Sequence, residues 1–428
     1  MKVSVISETY LLVREKYICR MKALIIGNVW PEPVSSAAGA RILQLLRALQ
    51  NQGYKIHFAC AAGKTNYAED LENLDITTQE IKLNDVSFDQ YIATLNPDLV
   101  LFDKFVVEEQ FGWRVKEQCP DAIRVLETID LHGLRKGREA ALKAGVPFTE
   151  DFLDNDFAKR EIASIYRCDL SLVISEAEMQ LLDEYFGVPK QQIFYLPFMV
   201  DEVTSSTSTN WKRYEERAHF VTIGNFRHEP NWQSVLQLKK EIWPLIRKEL
   251  PQAEMRIYGS YPAEKHTQLH NPNEKFYVLG RAESAFEVIE DARVLLAPLL
   301  TGAGLKGKLL EAMQCGTPAV TSTVGAEGMH GELPFNGIVI DDSALFAQAA
   351  IELYTNEDNW LQARANGIEV INERFLASKW QPEFAKRLSA LKQNLIPYRK
   401  SNFTGSMLWH QSLQASKFMS KWIAEKNK

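Results

Sequence analysis

Residues 298–322 read P-L-L-T-G-A-G-L-K-G-K-L-L-E-A-M-Q-C-G-T-P-A-V-T-S, and this stretch decides how the chain is interpreted. A predicted strand (293–297) leads into a glycine turn, and a short predicted helix (306–315) follows. Glycines let a backbone approach a ligand closely, and a helix N-terminus offers free N–H groups and a partial positive charge. The stretch therefore predicts a loop that binds an anionic diphosphate. Its key residues are Gly302, Ala303, Gly304, Leu305, Lys306, Lys308 and Glu311.

A G-x-G sequence before a helix is by itself a weak indication, because many such turns are plain connectors between a strand and a helix. The two lysines strengthen it, since lysine is electrostatically unfavourable in a first helical turn unless an anion is nearby. Glu311 lies further along the same helix. We expect its carboxylate to accept hydrogen bonds from ribose hydroxyls.

The complete string is more specific, and it resembles the C-terminal half of nucleotide-sugar-dependent glycosyltransferases of the GT-B fold. The closest resemblance is to the retaining family 4, or glycosyl transferases group 1, whose signature is E-x7-E followed by A-M-x-x-G-x-P-V-V. The first glutamate of that signature is replaced here by Ala303. The chain instead matches a subset of the family that has G-A-G-L-K-x-K in this place. The matching residues of the second part are Glu311, Ala312, Met313, Gly316, Pro318 and Val320.

A second departure follows the first predicted strand of the C-terminal half. Family members commonly carry an arginine directly after the strand's glycine and a lysine about five residues later, and both bind the diphosphate. Asn225 and Pro230 stand in those places here. Buried phosphates without cationic partners are strongly unfavourable, so the resemblance places the charge on the lysines of the loop. The further donor-binding residues that it implies are Gly224, Arg227, Tyr258, Gly259 and Arg281.

Composition is compatible with a two-domain enzyme. The chain has 428 residues, of which 46% are hydrophobic, so two cores of ordinary size are expected. The net charge of −6 argues against a nucleic-acid-binding protein, which usually has a basic excess. Five scattered cysteines without C-x-x-C spacing predict neither a disulfide framework nor a zinc site. We expect a cytoplasmic protein, with the inner face of the membrane as a further possibility.

Strands and helices alternate from Met21 onward, which predicts two doubly wound α/β domains facing each other across a cleft. The predicted divisions are an extension (1–20), an acceptor domain (21–203), a linker (204–215), a donor domain (216–395) and a helical segment that crosses back to the first domain (396–428). Candidate strands are 23–27, 55–60, 79–82, 98–102, 123–127, 170–174, 192–195, 219–224, 254–258, 276–279, 293–297 and 318–322. Candidate helices include 39–52, 107–118, 157–167, 230–249, 284–290, 343–354 and 358–373. The extension is either the product of an upstream start codon or a separate strand or surface helix.

The two halves share a short pattern, I-G-N-x-x-x-E-P, at 26–33 and again at 223–230. Each copy follows the first predicted strand of its domain. Ligands of doubly wound sheets bind outside the carboxyl ends of the strands, so both copies should border the cleft. Coincidence between two similar strand-turn-helix units is the alternative.

The first domain supplies its own candidate residues. Ser36, Gly39 and Arg41 belong to a loop of small residues before a helix, where the family has a glycine-rich loop; simple helix capping is the other interpretation. His132 follows a buried-looking strand, and the resemblance implies that it contacts the donor sugar, with Asp130 orienting it. Arg135 and Arg138 lie on the next predicted helix, where a solvated face is favoured over contact with an anionic acceptor. Residues 154–156 spell D-x-D, but a helix start explains them better than a metal site.

The expected activity is transfer of a sugar from a nucleotide-diphosphate sugar to a glycan, a lipid-linked or another cell-envelope acceptor. The resemblance implies retention of anomeric configuration, no metal and no cofactor beyond the UDP- or GDP-sugar. Two alternatives stay open: a nucleotide-sugar epimerase or hydrolase of the same fold, and a non-catalytic GT-B partner subunit. Ala303, in place of the family's first glutamate, and the missing arginine and lysine are the reasons for considering the second. The amphipathic C-terminal segment predicts either a helix packed on the first domain or a peripheral membrane contact.

Overall fold

The computed structural model describes residues 21–426, so the predicted extension at 1–20 lies outside the described part of the chain. Two sheets dominate the fold, one of seven strands in the order β3-β2-β1-β4-β5-β6-β7 and one of six in the order β10-β9-β8-β11-β12-β13. Neighbouring strands are parallel in both sheets. This is the two-domain, doubly wound arrangement predicted from the alternating pattern, and that prediction is confirmed.

The first domain is built from seven strands and six helices. The strands are β1 (Lys22–Gly27), β2 (Lys55–Cys60), β3 (Thr77–Glu80), β4 (Leu99–Asp103), β5 (Ile123–Glu127), β6 (Leu170–Val173) and β7 (Ile193–Tyr195). The helices are α1 (Ala37–Asn51), α2 (Val86–Leu95), α3 (Phe105–Gln118), α4 (His132–Ala144), α5 (Asp156–Arg167) and α6 (Glu176–Glu184). The central strands β4 and β5 are buried along their whole length, because helices cover both faces of a parallel sheet.

The second domain repeats this construction with six strands. They are β8 (Ala218–Ile223), β9 (Met255–Tyr258), β10 (Phe276–Gly280), β11 (Ala292–Ala297), β12 (Ala319–Thr321) and β13 (Gly337–Val339). The helices from the inter-domain connection onward are α7 (Ser205–Thr209), α8 (Glu229–Gln237), α9 (Trp243–Glu249), α10 (Glu264–Thr267), α11 (Ala285–Glu290), α12 (Gly307–Gln314), α13 (Thr323–Ala326), α14 (Ser343–Thr355) and α15 (Glu357–Arg374).

Three details of the second half differ from the sequence-based expectations. The helix expected at 230–249 is split by a π-helical segment, Leu238–Ile242, because Pro244 has no N–H to donate within the helix. The edge strand β13 is three residues long and too short to be recognised from its pattern. The stretch expected to be a plain linker contains α7, which is capped by the Thr204 side chain.

The chain returns to the first domain through α16 (Ala377–Gln393), α17 (Leu395–Ser401) and α18 (Phe403–Lys426). Phe384, Leu388 and Leu391 of α16 are buried in the core of the first domain. The return therefore begins at Ala377 and not after 395, where the sequence placed it. A helix with an apolar face belongs to the domain whose core that face fills. The spacing of apolar residues in the sequence does not reveal which domain that is.

Helix α18 lies against α3 and α5 of the first domain. The Trp409 indole is buried, and its Nε1–H donates to the Arg167 carbonyl oxygen at 2.9 Å. Asn402 Nδ2 donates to the Tyr166 carbonyl oxygen at 2.8 Å. Within residues 21–426, no helix combines the length and the apolar character that a bilayer crossing requires.

Candidate active site in the interdomain cleft

A cavity of about 420 Å³ lies between the two domains, at the carboxyl ends of their strands. The loops after β1, β4 and β5 form one wall, and the loops after β8, β9 and β11 form the other. Both copies of the repeated I-G-N-x-x-x-E-P pattern border this cavity, as expected from their positions. The predicted site residues on its walls are Ser36, Asp130, Gly224, Arg227, Gly259, Gly302, Ala303, Leu305, Lys306, Lys308 and Glu311. Those that are not on its walls are Gly39, Arg41, His132, Tyr258, Arg281 and Gly304.

The glycine turn brings the two domains into direct contact. Gly304 has a φ of 62°, and a Cβ at this position would lie 2.8 Å from the Ile129 carbonyl oxygen of the first domain. A Cβ at Gly307, the first residue of α12, would lie 2.5 Å from the Ala37 Cβ, also in the first domain. Side chains at either position would push the domains apart. The glycines of this loop thus permit domain closure as well as close approach of a ligand.

The two lysines of the loop are held by the protein beside the cavity. Lys306 Nζ donates to the Gly304 carbonyl oxygen at 2.6 Å, and Lys308 Nζ donates to Asn231 Oδ1 at 2.9 Å. Burial lowers the pKa of each ammonium to about 8, so both are mainly protonated at pH 7. Burial also raises the pKa of the Glu311 carboxyl to about 6. The loop therefore presents desolvated positive charge that an anionic ligand would stabilise.

Arg227 and His228 lie close to Asn225 and Pro230, where the family resemblance leads us to expect an arginine and a lysine. Neither side chain presents a free positive charge to the cavity. Burial lowers the pKa of His228 to about 4, so its ring is neutral at pH 7. The guanidinium of Arg227 lies 3.7 Å from the centre of the Tyr261 ring, a cation–π contact. Arg227 is on the cavity wall as predicted, but its cation faces an aromatic ring.

The predicted pair His132 and Asp130 lies at the start of α4. His132 Nδ1 is 3.5 Å from Asp130 Oδ1 and also 3.5 Å from Glu161 Oε1. Asp130 accepts a hydrogen bond from Arg135 Nε at 2.7 Å. Burial raises the pKa of Asp130, but the neighbouring cations, His132 and Arg135 first, outweigh it and hold that pKa well below its usual range. Asp130 is therefore ionised and faces the cavity, while His132 lies behind it.

Arg41 occupies a different place from the one predicted. Its side chain is fully buried, and its Nε and Nη2 donate to the two carboxylate oxygens of Glu127 at 3.3 Å each. Nη2 also donates to the Leu196 carbonyl oxygen at 2.7 Å. The prediction that Arg41 faces a ligand is wrong: it joins α1 to β5 and to the chain after β7. Spacing along the sequence could not show that the partner of this helical arginine is a glutamate on strand β5.

The neighbouring loop residues have structural roles. The Ser36 side chain accepts a hydrogen bond from Gly39 N at 3.1 Å and caps α1, as the capping interpretation predicted. Gly39 is required for packing, because a Cβ there would lie 2.5 Å from the backbone of Glu32. Asn155 caps α5 by accepting from Ala158 N, which confirms that the D-x-D string marks a helix start.

The residues expected near the nucleotide base are divided between the cavity and its rim. Gly259 is on the wall, and a Cβ there would lie 2.4 Å from the Gly224 carbonyl oxygen. Tyr258 ends β9 and is not on the wall. The Arg281 guanidinium lies 4.4 Å from the centre of the Tyr67 ring in the first domain. Arg281 is thus an interdomain contact at the rim of the cleft.

Side chains that the sequence did not single out connect the two domains. Glu178 Oε1 accepts from Leu131 N of the first domain and from Gly304 N of the second, each at 2.8 Å. Arg138 donates to the Gly302 carbonyl oxygen at 2.8 Å and pairs with Glu327 at 2.6 Å. Arg138 was expected on a solvated face, but only 14% of its side chain is exposed. Its partners in the other domain, the Gly302 carbonyl group and the half-buried Glu327 carboxylate, explain the difference.

Glu178 is unusual among these contacts because it is completely buried. Burial raises the pKa of its carboxyl to about 8, so the group is protonated at pH 7. A neutral carboxyl group at the domain interface costs less than a buried charge and still offers an oxygen to both N–H donors. No pattern in the sequence around Glu178 indicated this role.

Within residues 21–426, no three His, Cys, Asp or Glu side chains are grouped as they would be around a metal ion.

Comparison with known proteins connects part of the chain to a family. Residues 217–356, most of the second domain, match the family model of glycosyl transferases group 1. A curated relative, an uncharacterized protein in the cps region of Klebsiella pneumoniae, is 25% identical over 233 residues. That match covers 52% of this chain and 56% of the relative, so it spans about half the length of each.

Solved structures match nearly the whole chain. The Anabaena HepE protein in complex with UDP and glucose has a TM-score of 0.66 at 13% identity, covering 87% of this chain and 100% of its own. Sucrose-phosphate synthase from Thermosynechococcus elongatus has a TM-score of 0.64 at 16% identity, covering 88% and 100%. TarM has a TM-score of 0.64 at 11% identity, covering 86% and 99%. At these identities the likeness establishes the fold, and that fold is GT-B.

Proposed function

We propose that this protein transfers a sugar from a nucleotide-diphosphate sugar to a glycan, a lipid-linked or another cell-envelope acceptor. The observation that carries the proposal is the cavity between the domains, whose second-domain wall combines the glycine loop with Lys306, Lys308 and Glu311. The family match over the second domain supports it, as does the likeness to HepE, whose structures contain UDP, UDP-glucose and glucose.

In the proposed reaction the donor binds to the second domain and the acceptor to the first. The bond between the anomeric carbon and the departing diphosphate breaks, and a bond to the acceptor oxygen forms on the same face, so configuration is retained. The departing phosphate oxygen takes the acceptor's proton. Lys306, Lys308 and the loop amides stabilise the negative charge that develops on the diphosphate. The reaction requires no metal, because these protein groups supply the positive charge.

Nucleotide release separates transfer from the alternatives. Purified protein is incubated with UDP- and GDP-sugars, with and without a lipid extract of bacterial cell envelopes. Release that depends on the extract supports transfer. Release without the extract indicates a hydrolase, and a changed sugar that remains attached to the nucleotide indicates an epimerase. If calorimetry detects binding of neither UDP nor GDP, the non-catalytic subunit becomes the better interpretation.

Replacing Lys308 with methionine is expected to weaken UDP binding about tenfold or more. A hydrogen bond to a charged group contributes about 1.5–3 kcal/mol, and about 1.4 kcal/mol corresponds to a factor of ten. Methionine has a similar volume, so the packing beside Asn231 changes little. Glu311→Ala should weaken UDP binding by a similar factor through loss of the ribose contact. Calorimetric titration with UDP measures both.

The matched control is Lys240→Met, which removes a lysine from the exposed surface of the same domain. Its affinity for UDP should equal that of the wild type. Unchanged affinity in both Lys308→Met and Glu311→Ala would place the diphosphate site elsewhere in the molecule.

A peripheral membrane contact through α18 is a second part of the proposal. The face of α18 opposite its buried residues exposes large apolar side chains, although the helix is packed on the first domain. These are Phe403, Met407, Phe418, Met419 and Trp422. At 100° per residue they fall within about half of the helix circumference. An exposed apolar face of this length, with two aromatic rings near its C-terminal end, is typical of a surface that lies in a membrane interface.

The positive charge of α18 favours an anionic lipid surface over an apolar surface of another protein. Helix α18 contains three lysines and one glutamate, a net charge of 3 − 1 = +2, whereas the whole chain has 49 − 55 = −6. Lys421 and Lys426 are exposed on this helix. Each lysine near an anionic membrane contributes about 1 kcal/mol of attraction.

Sedimentation with lipid vesicles tests this contact. Vesicles of phosphatidylglycerol and phosphatidylcholine should bind the wild-type protein, and pure phosphatidylcholine vesicles should bind it less. The double variant Phe418→Ser/Trp422→Ser should lose about tenfold or more of the binding, because it removes two large apolar contacts. Phe286→Ser, at an exposed phenylalanine of the second domain, is the control. Equal binding of the double variant and the wild type contradicts the proposal.

A further inference from the structure

Lys104, between β4 and α3, has a backbone conformation that is nearly restricted to glycine. Its φ is 77° and its ψ is 157°. Ile129, on the neighbouring loop after β5, also has a positive φ of 59° although it is β-branched. Such conformations cost free energy, and they persist where surrounding structure enforces them, often at functional sites. Both residues are on the first-domain wall of the cavity.

The backbone of Lys104 is held by its neighbours. Its N–H donates to the Glu127 carbonyl oxygen at 2.9 Å, and its own carbonyl oxygen accepts from Val107 N at 3.1 Å in the first turn of α3. A glycine would satisfy the same hydrogen bonds with less strain. The presence of lysine therefore requires an explanation from its side chain.

That side chain belongs to a cavity-wall residue whose ammonium makes no direct contact with a protein acceptor in the described part of the chain. Across residues 21–426, the ammonium of Lys104 has neither a hydrogen bond nor an ion pair, whereas Lys306 and Lys308 both donate to protein oxygens. The nearby carboxylate of Asp130 is already paired with Arg135 at 2.7 Å. The first-domain wall thus has one ammonium without a direct partner among the described residues, although its charge also acts on the Asp130 carboxylate.

The opposite wall has Lys306 and Lys308 but lacks two further cations that the family resemblance led us to expect there. Asn225 and Pro230 stand where the family that the chain resembles commonly has an arginine and a lysine, and His228 is neutral at pH 7. Burial is the main cause of the low pKa of His228; Asp130 opposes it, and the charges of Arg135, Lys308 and Lys104 lower the pKa further. Both lysines therefore act on the same side chain, one from each wall of the cavity.

We propose that Lys104 binds the diphosphate of the donor from the first-domain wall and adds its positive charge to those of Lys306 and Lys308. The inference rests on the proposed function for the identity of the anion. Because the other diphosphate contacts belong to the second domain, a diphosphate bound to Lys104 would hold the two domains together, so donor binding and domain closure become coupled.

Calorimetry with UDP and with inorganic pyrophosphate tests the contact. Lys104→Met removes the charge and keeps the chain length, and it should weaken the binding of both probes about tenfold or more, as expected for loss of a charge-assisted hydrogen bond. Lys104→Arg restores the charge and should recover most of the affinity. A role in packing alone would not distinguish methionine from arginine in this way.

Two substitutions to glycine separate the effect of the backbone conformation from that of the lysine side chain. Lys275, in a turn before β10, also has a positive φ of 55°, and it is remote from the cavity walls. Lys104→Gly and Lys275→Gly should both raise the midpoint of thermal unfolding, because glycine relieves the strain at each site. Only Lys104→Gly should weaken UDP binding. This result would show that Lys104 lowers the stability of the protein and is needed for ligand binding.

The outcomes distinguish the inference from the function on which it rests. If the wild-type protein binds UDP or GDP and Lys104→Met binds it equally well, Lys104 does not contact the diphosphate and the inference is overturned. If the wild-type protein binds neither nucleotide nor pyrophosphate, the proposed function fails, and the inference fails with it.

Discussion

Replacing Arg41 with methionine is expected to destabilise the protein by about 3–5 kcal/mol. The guanidinium and the Glu127 carboxyl group are both fully buried, and burial already raises the pKa of that carboxyl, so the substitution leaves a buried acid that must either stay unpaired or take up a proton. The carbonyl oxygens of Leu196 and Pro197 lose their donors as well. Urea unfolding followed by circular dichroism measures the difference in the free energy of unfolding.

Two further variants identify the cause. The double variant Arg41→Met/Glu127→Met should regain much of the lost stability, because well-packed apolar side chains can replace a buried ion pair. Arg47→Met, at an exposed arginine of the same helix, should change the stability by less than about 0.5 kcal/mol. Suppose instead that Arg41→Met is as stable as the wild type but binds UDP weakly. Arg41 would then face the ligand, as its position in the sequence suggested.

Replacing Glu178 with leucine should impair both stability and donor binding. The variant leaves the N–H groups of Leu131 and Gly304 without an acceptor, at a cost of about 1–3 kcal/mol for each buried donor. These donors belong to different domains, so part of the cost falls on the closed state. We expect the affinity for UDP to fall about tenfold, and the midpoint of urea unfolding to fall as well.

Glu178→Gln is the matched variant, since glutamine has the same shape and keeps an oxygen for both donors. Burial raises the pKa of the Glu178 carboxyl in the folded state to about 8, above its usual 4.5. The stabilisation that comes with this raised pKa is complete below pH 4.5 and is lost as pH rises towards 8. Glutamine does not titrate. The variant should therefore gain stability relative to the wild type between pH 5 and pH 8, by about 1.4 kcal/mol per pH unit.

Unfolding curves at several pH values show whether this holds. A stability difference between Glu178→Gln and the wild type that does not change with pH would mean that the carboxyl titrates normally. Loss of UDP affinity in Glu178→Gln as severe as in Glu178→Leu would mean that the two N–H contacts are not the reason for its effect.

The architecture could be predicted because its signals are local. Apolar runs of strand length alternate with amphipathic helices, and parallel strands buried on both faces read as continuous apolar segments. The glycine loop and its lysines were recognised for the same reason, since neighbouring residues in one short stretch make the chemistry. The elements that differed were those with weak local signals: the short strand β13, the short helix α7 and the helix split near Pro244.

The candidate site could be predicted mainly on the second-domain side, although Ser36 and Asp130 of the first domain also line the cavity. There the ligand-facing residues follow one another within a single loop, and the structure brings them to the cavity. On the first-domain side the sequence placed Arg41 at the ligand, but the fold pairs it with Glu127, 86 residues away. The sequence does not single out Lys104, because a positive φ and an unpaired ammonium have no signature in a sequence.

Local chemistry in the chain thus specifies two doubly wound domains and a glycine loop with two lysines, because hydrophobic periodicity and glycine placement act over a few residues. Tertiary structure alone decides which charges are neutralised inside the protein and which remain for a ligand. That distinction depends on distance in space: Asp130 is paired with Arg135, Glu127 with Arg41, and Lys104 with no residue among those described. Tertiary structure also decides that Glu178, an acidic residue in the sequence, is a neutral contact between the domains.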